Sequence, residues 1–449
     1  MIFNIKSILG RFGIDGPIFF TLLSRVFQGL GGFITIFMIG HFMSQEVQGF
    51  YYTFASVLAI QIFFELGLGG IIIQFVAHEM AFLNISDKNV VGPQSHISRL
   101  SSLLHFITKW YLLFSALLLA TLIVVGLFFF RKYGAEYRHI DWQTPWILIS
   151  VITAFNLLLS PWTAVFQGMN KVKEIAKIAL IQQIIVSLLT WLFLFYGAEL
   201  YILVINAASG FIVLLLFYYK AGYFHLVRNI YKNISEIKIN YKKEILPLQW
   251  RTALSWISGY FIFQLFNPVI FANEGPVVAG QAGMTLTVLN SILGLIVSWS
   301  STKIPLWSGY IAKEEYNDLN KSYRKVLRDS TLASIICIAI FILFLLFLNE
   351  TGISLAKRFL PVGLSLLLLL SVPVNNIVNI WATYLRCHKK EPFLLQAVIV
   401  GILCAASTLL LGKWSGVQGI VYGYLAIVLL VSLPLSLYIF IIKKKEYHG

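Results

Sequence analysis

The chain has 449 residues, 58% of them hydrophobic and 12% charged, with a mean hydropathy of +0.81. No soluble domain of this length carries that balance; a chain of many apolar stretches of ~20 residues, each long enough to cross a bilayer, does. The net charge of +15, from 34 Lys and Arg against 19 Asp and Glu, would raise nucleic acid as a partner of a soluble protein, but here the basic residues gather in alternate loops, which is the pattern of an oriented membrane protein and excludes that partner.

Residues 1–13 (MIFNIKSILGRFG) set Ile2, Ile5, Leu9 and Phe12 at helical spacing, with Lys6 and Arg11 off that stripe. They read as a short helix on the membrane surface or as a frayed tail. No cleavable leader is expected, because the following apolar run is too long and lacks a small-residue cleavage site. Twelve apolar spans then follow, at about 16–43, 47–77, 102–130, 143–168, 173–197, 199–223, 247–272, 277–307, 328–349, 360–386, 392–412 and 416–442. Turn residues separate them, among them Asn273-Glu274-Gly275-Pro276, Glu350-Thr351-Gly352 and Gly412-Lys413-Trp414-Ser415-Gly416.

With the N-terminus inside, 24 of the Lys and Arg residues fall in cytoplasmic segments. Only Arg131, Lys132, Arg138, Lys357, Arg358 and Lys413 fall outside, so both termini are expected in the cytoplasm. The longest connector, 224–246, carries Leu226, Val227, Ile230, Ile234 and Ile237 among basic residues. It is expected to form an interfacial amphipathic helix joining a six-span bundle (1–223) to a second one (247–449). The halves read as a repeat: PWTAVFQGMNKVKEIAKIALIQQII after span four matches NIWATYLRCHKKEPFLLQAVIVGIL after span ten, and SRVFQGLGGF falls near WRTALSWISGYF. The expectation is an all-α integral membrane protein of twelve helices, in two six-helix bundles related by a pseudo-two-fold along the membrane normal.

Charges inside spans are costly and mark function by default. Arg25 lies near the middle of span one and Glu65 at a similar depth in span two. They pair structurally, or Arg25 faces a cavity and meets an anionic substrate with Glu65 as orienter or coupling site. Lys109, Arg251 and Lys303 sit nearer the cytoplasmic ends of spans three, seven and eight. They snorkel to headgroups, or they line a cavity that draws in a phosphate-bearing solute. Gln264 and Asn267 beside Pro268, and Asn375, Asn376 and Asn379 near Pro373, bond sugar hydroxyls, hold a monovalent ion, or join helices. The three cysteines form no CxxC pair, and no nucleotide or metal signature is present, so neither cofactor nor metal is expected. The outer loops are too short for a catalytic domain, which argues against an enzyme.

The opening arm, the second arm GFYYTFASVLAIQIFFELGLGGIIIQF, the FQGMNK turn and the TYLRCHKKEP turn resemble those of Wzx-type polysaccharide flippases, members of the MOP group with MATE exporters and the lipid II flippase. The resemblance covers the whole chain in span count and layout, through loose motifs. It implies a polyprenyl-pyrophosphate-linked oligosaccharide (an O-antigen or capsule repeat unit) as cargo, a cationic central cavity, alternating access and residence in the bacterial inner membrane. Membrane lipid, and a glycan polymerase or other glycan-assembly proteins, are the partners it implies. By that likeness Arg25 and Arg251 lead as pyrophosphate contacts, with Lys109 and Lys303 next. The alternative is a MATE-like ion-coupled exporter of small molecules, disfavoured by the scarcity of acids within the spans.

Overall fold

The computed structural model describes residues 16–448 except 87, 88, 234, 236 and 389, and leaves out the side chains of residues 16–22, 25, 26, 30 and 248. The surface helix expected over 1–13 lies outside the described residues. The chain is almost wholly helical; its one sheet among the described residues is an antiparallel hairpin of β1 (Asn84–Ser86) and β2 (Asn89–Val91), with Ile85 opposite Val90.

The first helices are α1 (Gly16–Phe42), α2 (Gln45–Leu58) and α3 (Leu68–Met80). Ser44 caps α2 by accepting from the Val47 amide at 3.1 Å. Between α2 and α3 the second arm breaks. A 3-10 turn (Ala59–Gln61) and one helical turn (Ile62–Glu65) lead to Leu66 and Gly67, both left-handed at φ 51° and 66°. Leucine rarely adopts that conformation, so the break is imposed by packing. A Cβ on Gly67 would lie 2.5 Å from Thr252 Cγ2.

Next come α4 (Gln94–Tyr133), α5 (Gln143–Gly168), α6 (Val172–Phe195), α7 (Tyr201–Lys220) and α8 (Tyr223–Tyr231). Then follow α9 (Leu246–Phe263), α10 (Phe266–Ser301), α11 (Ile304–Ala312), α12 (Tyr316–Glu350), α13 (Val362–Leu369), α14 (Ser371–Arg386), α15 (Leu394–Ile427) and α16 (Leu433–His448). Among the described residues, nine continuous helical stretches are long and apolar enough to cross a membrane. Two of these, 249–312 and 394–448, are folded back on themselves. Gly275 (φ 83°) breaks α10, and beyond it a Cβ on Gly283 would lie 2.7 Å from Asn267 Nδ2, whereas a straight helix would hold these residues ~24 Å apart. Gly416 (φ 56°) does the same in α15, bringing Gly423 against Ser407. Each is therefore two arms, and with α1 the twelve apolar arms of the sequence are accounted for. The Glu274 carboxylate, at the first fold-back, accepts from the Val417 amide at 2.6 Å and so caps the helix that restarts after the second.

The chain divides into two compact units, and they do not follow its halves. Unit one holds residues up to 38 and 60–256; unit two holds 39–59 and 257–449. In unit two, α2 packs closely on α10 through glycines: a Cβ on Gly49 would sit 1.9 Å from Pro276 O, and one on Gly280 would sit 3.0 Å from Gly49 N. Gln48 is buried there, donating to Gly280 O at 2.8 Å and Arg358 O at 3.1 Å, while Arg358 donates to Met43 O. Elsewhere in unit two, Trp307, Tyr323, Trp381, Tyr384 and Phe440 form an aromatic core, and Lys444 Nζ lies 5.5–5.7 Å from three of those rings.

The connector 224–246 belongs to unit one and differs from the expected single amphipathic helix. It is helical only to Tyr231, is without regular secondary structure over the described residues from 233 to 240, and is closed by a π-helical turn (Tyr241–Ile245) capped by Asn240. The reason is α4. Its 40 residues span ~60 Å, about twice the hydrocarbon thickness, so one end protrudes. The connector lies along that end. Ser98 Oγ donates to Ile237 O and accepts from the Ser235 amide, Ser101 Oγ donates to Tyr231 O, and Ser102 Oγ accepts from the Ile239 amide. His105 stacks on Tyr231 at 3.5 Å. A backbone satisfied by hydroxyls needs no helix.

Candidate functional site

The Arg25 side chain, and with it any Arg25–Glu65 pair, lies outside the described residues; its backbone is part of α1. Glu65 is partly exposed at the end of the helical turn before the Leu66–Gly67 break and makes no ion pair among the described residues. Lys109, Arg251 and Lys303 are all exposed. Lys109 lies where α4 leaves the membrane-crossing length, since the remaining residues to Tyr133 cover ~36 Å. Arg251, one turn into α9, stands 5.5 Å from the Trp250 ring. Lys303 occupies the break between α10 and α11. Among the described residues none of the three side chains has a carboxylate partner.

Of the amides singled out in unit two, Asn375, Asn376 and Asn379 join helices and Asn267 stands apart. Asn267 is 3% exposed, with Oδ1 buried and without a hydrogen-bond partner among the described residues. Asn375 Nδ2 donates to the Tyr424 hydroxyl at 2.9 Å, Asn376 Nδ2 to Ser330 Oγ at 2.9 Å, and Asn379 Nδ2 to Ser300 Oγ at 3.4 Å.

Two groupings in unit one were not singled out from the sequence. The first is ionic. Glu79, at the end of α3, is 1% exposed; it receives His96 Nδ1 at 2.7 Å and Arg99 Nε at 2.8 Å. Arg99 reaches on to Glu244 at 2.6 Å, and Glu244 accepts from the Asn240 amide at 2.8 Å. This chain ties α3, α4 and the connector's last turn together beside a cavity of about 280 Å³. Burial works against the charged Glu244 carboxyl, but donation from Arg99 and the Asn240 amide outweighs it and holds its pKa below the ordinary value. The sign follows: Glu244 adds stability above its unfolded pKa of ~4.3, and that stability is lost as pH falls through the lower folded value. The gap in melting temperature between wild type and Glu244→Gln is expected to be full at neutral pH and to close below ~pH 4; a gap constant with pH would contradict it.

The second grouping is neutral. A cavity of about 400 Å³ is lined by Ser24, Asn156, Gln182, Gln183, Asn206 and Gly210, drawn from α1, α5, α6 and α7. Each amide uses one end on a neighbour. Asn156 Nδ2 donates to Ala207 O (3.4 Å), Gln182 Nε2 to Gly210 O (3.0 Å) and Gln183 Nε2 to Ser187 Oγ (3.4 Å), and Asn206 Oδ1 accepts from Thr190 at 2.5 Å. The other ends have no hydrogen-bond partner among the described residues. Gly210 makes the room, since a Cβ there would lie 2.8 Å from Gln182 Nε2. The signal in the sequence was four amides, each deep within an otherwise apolar run.

No family model and no curated protein matches the sequence. Solved structures do match. An inward-facing multidrug resistance MATE family transporter of the MOP superfamily is 15% identical over 94% of this chain and 96% of its own, with a TM-score of 0.60. The lipid II flippase MurJ, in an inward closed conformation, is 13% identical over 96% of this chain and 90% of its own, with a TM-score of 0.64. A MOP superfamily transporter from Pyrococcus furiosus is 13% identical over 96% of each chain, with a TM-score of 0.53. At such identities the likeness is one of backbone architecture: this chain is an all-α membrane protein with the fold of the MOP superfamily transporters.

Proposed function

We propose that the protein is a flippase that moves a polyprenyl-pyrophosphate-linked oligosaccharide from the inner to the outer leaflet of a bacterial cytoplasmic membrane, with both termini in the cytoplasm. The observation that carries the reading is the pairing pattern of its charges. Lys109, Arg251 and Lys303 are exposed and lack carboxylate partners among the described residues, while the deeply buried Glu79 is already engaged by Arg99 and His96. Cations at the edges of membrane-spanning arms meet water, headgroups or an anion, and a guanidinium fork suits a pyrophosphate. Of Glu65, Glu79 and Glu244, only Glu65 is left without an ion pair among the described residues to meet a cationic drug. The cargo's anionic end meets Arg25 and Arg251 first, with Lys109 and Lys303 at headgroup level, and alternating access exposes the glycan on the far side. No chemical step is required of the protein.

In cells that depend on this protein for surface glycan, Arg251→Ala and Arg25→Ala are each expected to reduce surface glycan ~10-fold or more and to raise the lipid-linked intermediate, as expected for loss of one charge-assisted contact of ~1.5–3 kcal/mol. Lysine at either site is expected to restore part of the activity. Normal glycan in both alanine variants, together with altered dye efflux in cells lacking the protein, would favour an exporter instead.

A further inference from the structure

We propose that the amide-lined cavity of unit one binds a neutral, hydroxyl-rich group, one sugar residue of the cargo. The inference rests on the flippase reading for its cargo, and on the cavity alone for its chemistry. Asn156, Gln182 and Gln183 leave amide oxygens unpartnered among the described residues, Asn206 leaves an NH₂, and Ser24 adds a hydroxyl. Such a set both donates and accepts, as vicinal sugar hydroxyls do. The volume of about 400 Å³ lies in the lower part of the range of small-molecule sites, ~300–1,000 Å³.

Charge separates this reading from a cation site. Among the described residues the lining holds no carboxylate, and the chain carries +15. A bare monovalent ion far inside the membrane would be desolvated with no anionic ligand to compensate it. A neutral sugar loses only water hydrogen bonds, and the amides replace them. Asn156 and the two glutamines stand near the middle of their helices, so the cavity lies at depth rather than at the headgroups.

The test uses the full chain in lipid nanodiscs, titrated with maltose and with chitobiose and read by saturation-transfer NMR and by melting temperature. Saturable binding of at least one disaccharide is expected, weakened ~10-fold or more by Gln183→Leu, a change that gives up only one long hydrogen bond. Gly210→Leu, which fills the cavity, is expected to abolish it. Should that variant misfold, Gln183→Leu and Asn156→Leu decide. Stabilisation by NaCl or KCl that the same variants remove, without sugar binding, would overturn the proposal in favour of an ion site. Binding of neither, or sugar binding indifferent to the variants, would also overturn it. Sugar binding at the cavity with normal glycan in the Arg25 and Arg251 variants would leave this site standing while the transport reading fell.

Discussion

Arg99→Ala is expected to destabilise the protein by ~3–5 kcal/mol, the range for removing one partner of a buried ion pair. The reason is Glu79. It is 1% exposed, its two oxygens face Arg99 and His96, and losing the guanidinium leaves a buried carboxylate with His96 and, at 3.8 Å, His78. The variant also frees Glu244, so the connector's last turn loses its tie to α4. Thermal inactivation of the detergent-purified protein, followed by loss of the monodisperse peak, measures this. Adding Glu79→Gln to Arg99→Ala is expected to recover part of the loss, because a neutral amide needs no counter-charge. An unchanged melting profile in the single variant would show that the network carries no net stability.

Gly49→Ala is expected to be strongly destabilising. The added Cβ would lie 1.9 Å from Pro276 O and 2.4 Å from Pro276 C, which are backbone atoms held by the fold-back at Gly275. Overpacking of this kind costs ~1–3 kcal/mol where side chains can move, and more where the obstacle is main chain. Gly294→Ala, on the same α10 but with nothing within 4 Å of its Cβ, is the control, expected neutral or slightly stabilising because alanine favours helix. Equal melting temperatures for the two variants would rule out the close α2–α10 crossing.

The arms and their turns were legible because bilayer thickness sets a length that survives in any context; the turns at 273–276 and 412–416 coincide with the breaks at Gly275 and Gly416. The connector was not legible. Leu226, Val227 and Ile230 have helical spacing and do form α8, but beyond Tyr231 the backbone takes its hydrogen bonds from serines more than 130 residues earlier in the chain. Arg99 and Glu244 do not stand out in the sequence for the same reason: their partners are distant along the chain. Asn375 and Asn376 were legible as polar residues within a span, and the structure places them between helices. Four further amides, around the unit-one cavity, carry the same signal of polar residues within an apolar run.

The placement of residues 39–59 with unit two bears on how the chain is made. Gln48 hydrogen-bonds to residues 232 and 310 positions downstream, so this early segment enters the membrane long before its partners leave the ribosome. Until then its glycine face has no docking surface, and a chaperone or insertase would have to shelter it. Cutting the gene within the 224–246 connector would consequently not yield two self-sufficient pieces. The downstream fragment would lack α2, and the upstream one would display it unpacked, so co-expression of both should be needed to recover a stable product.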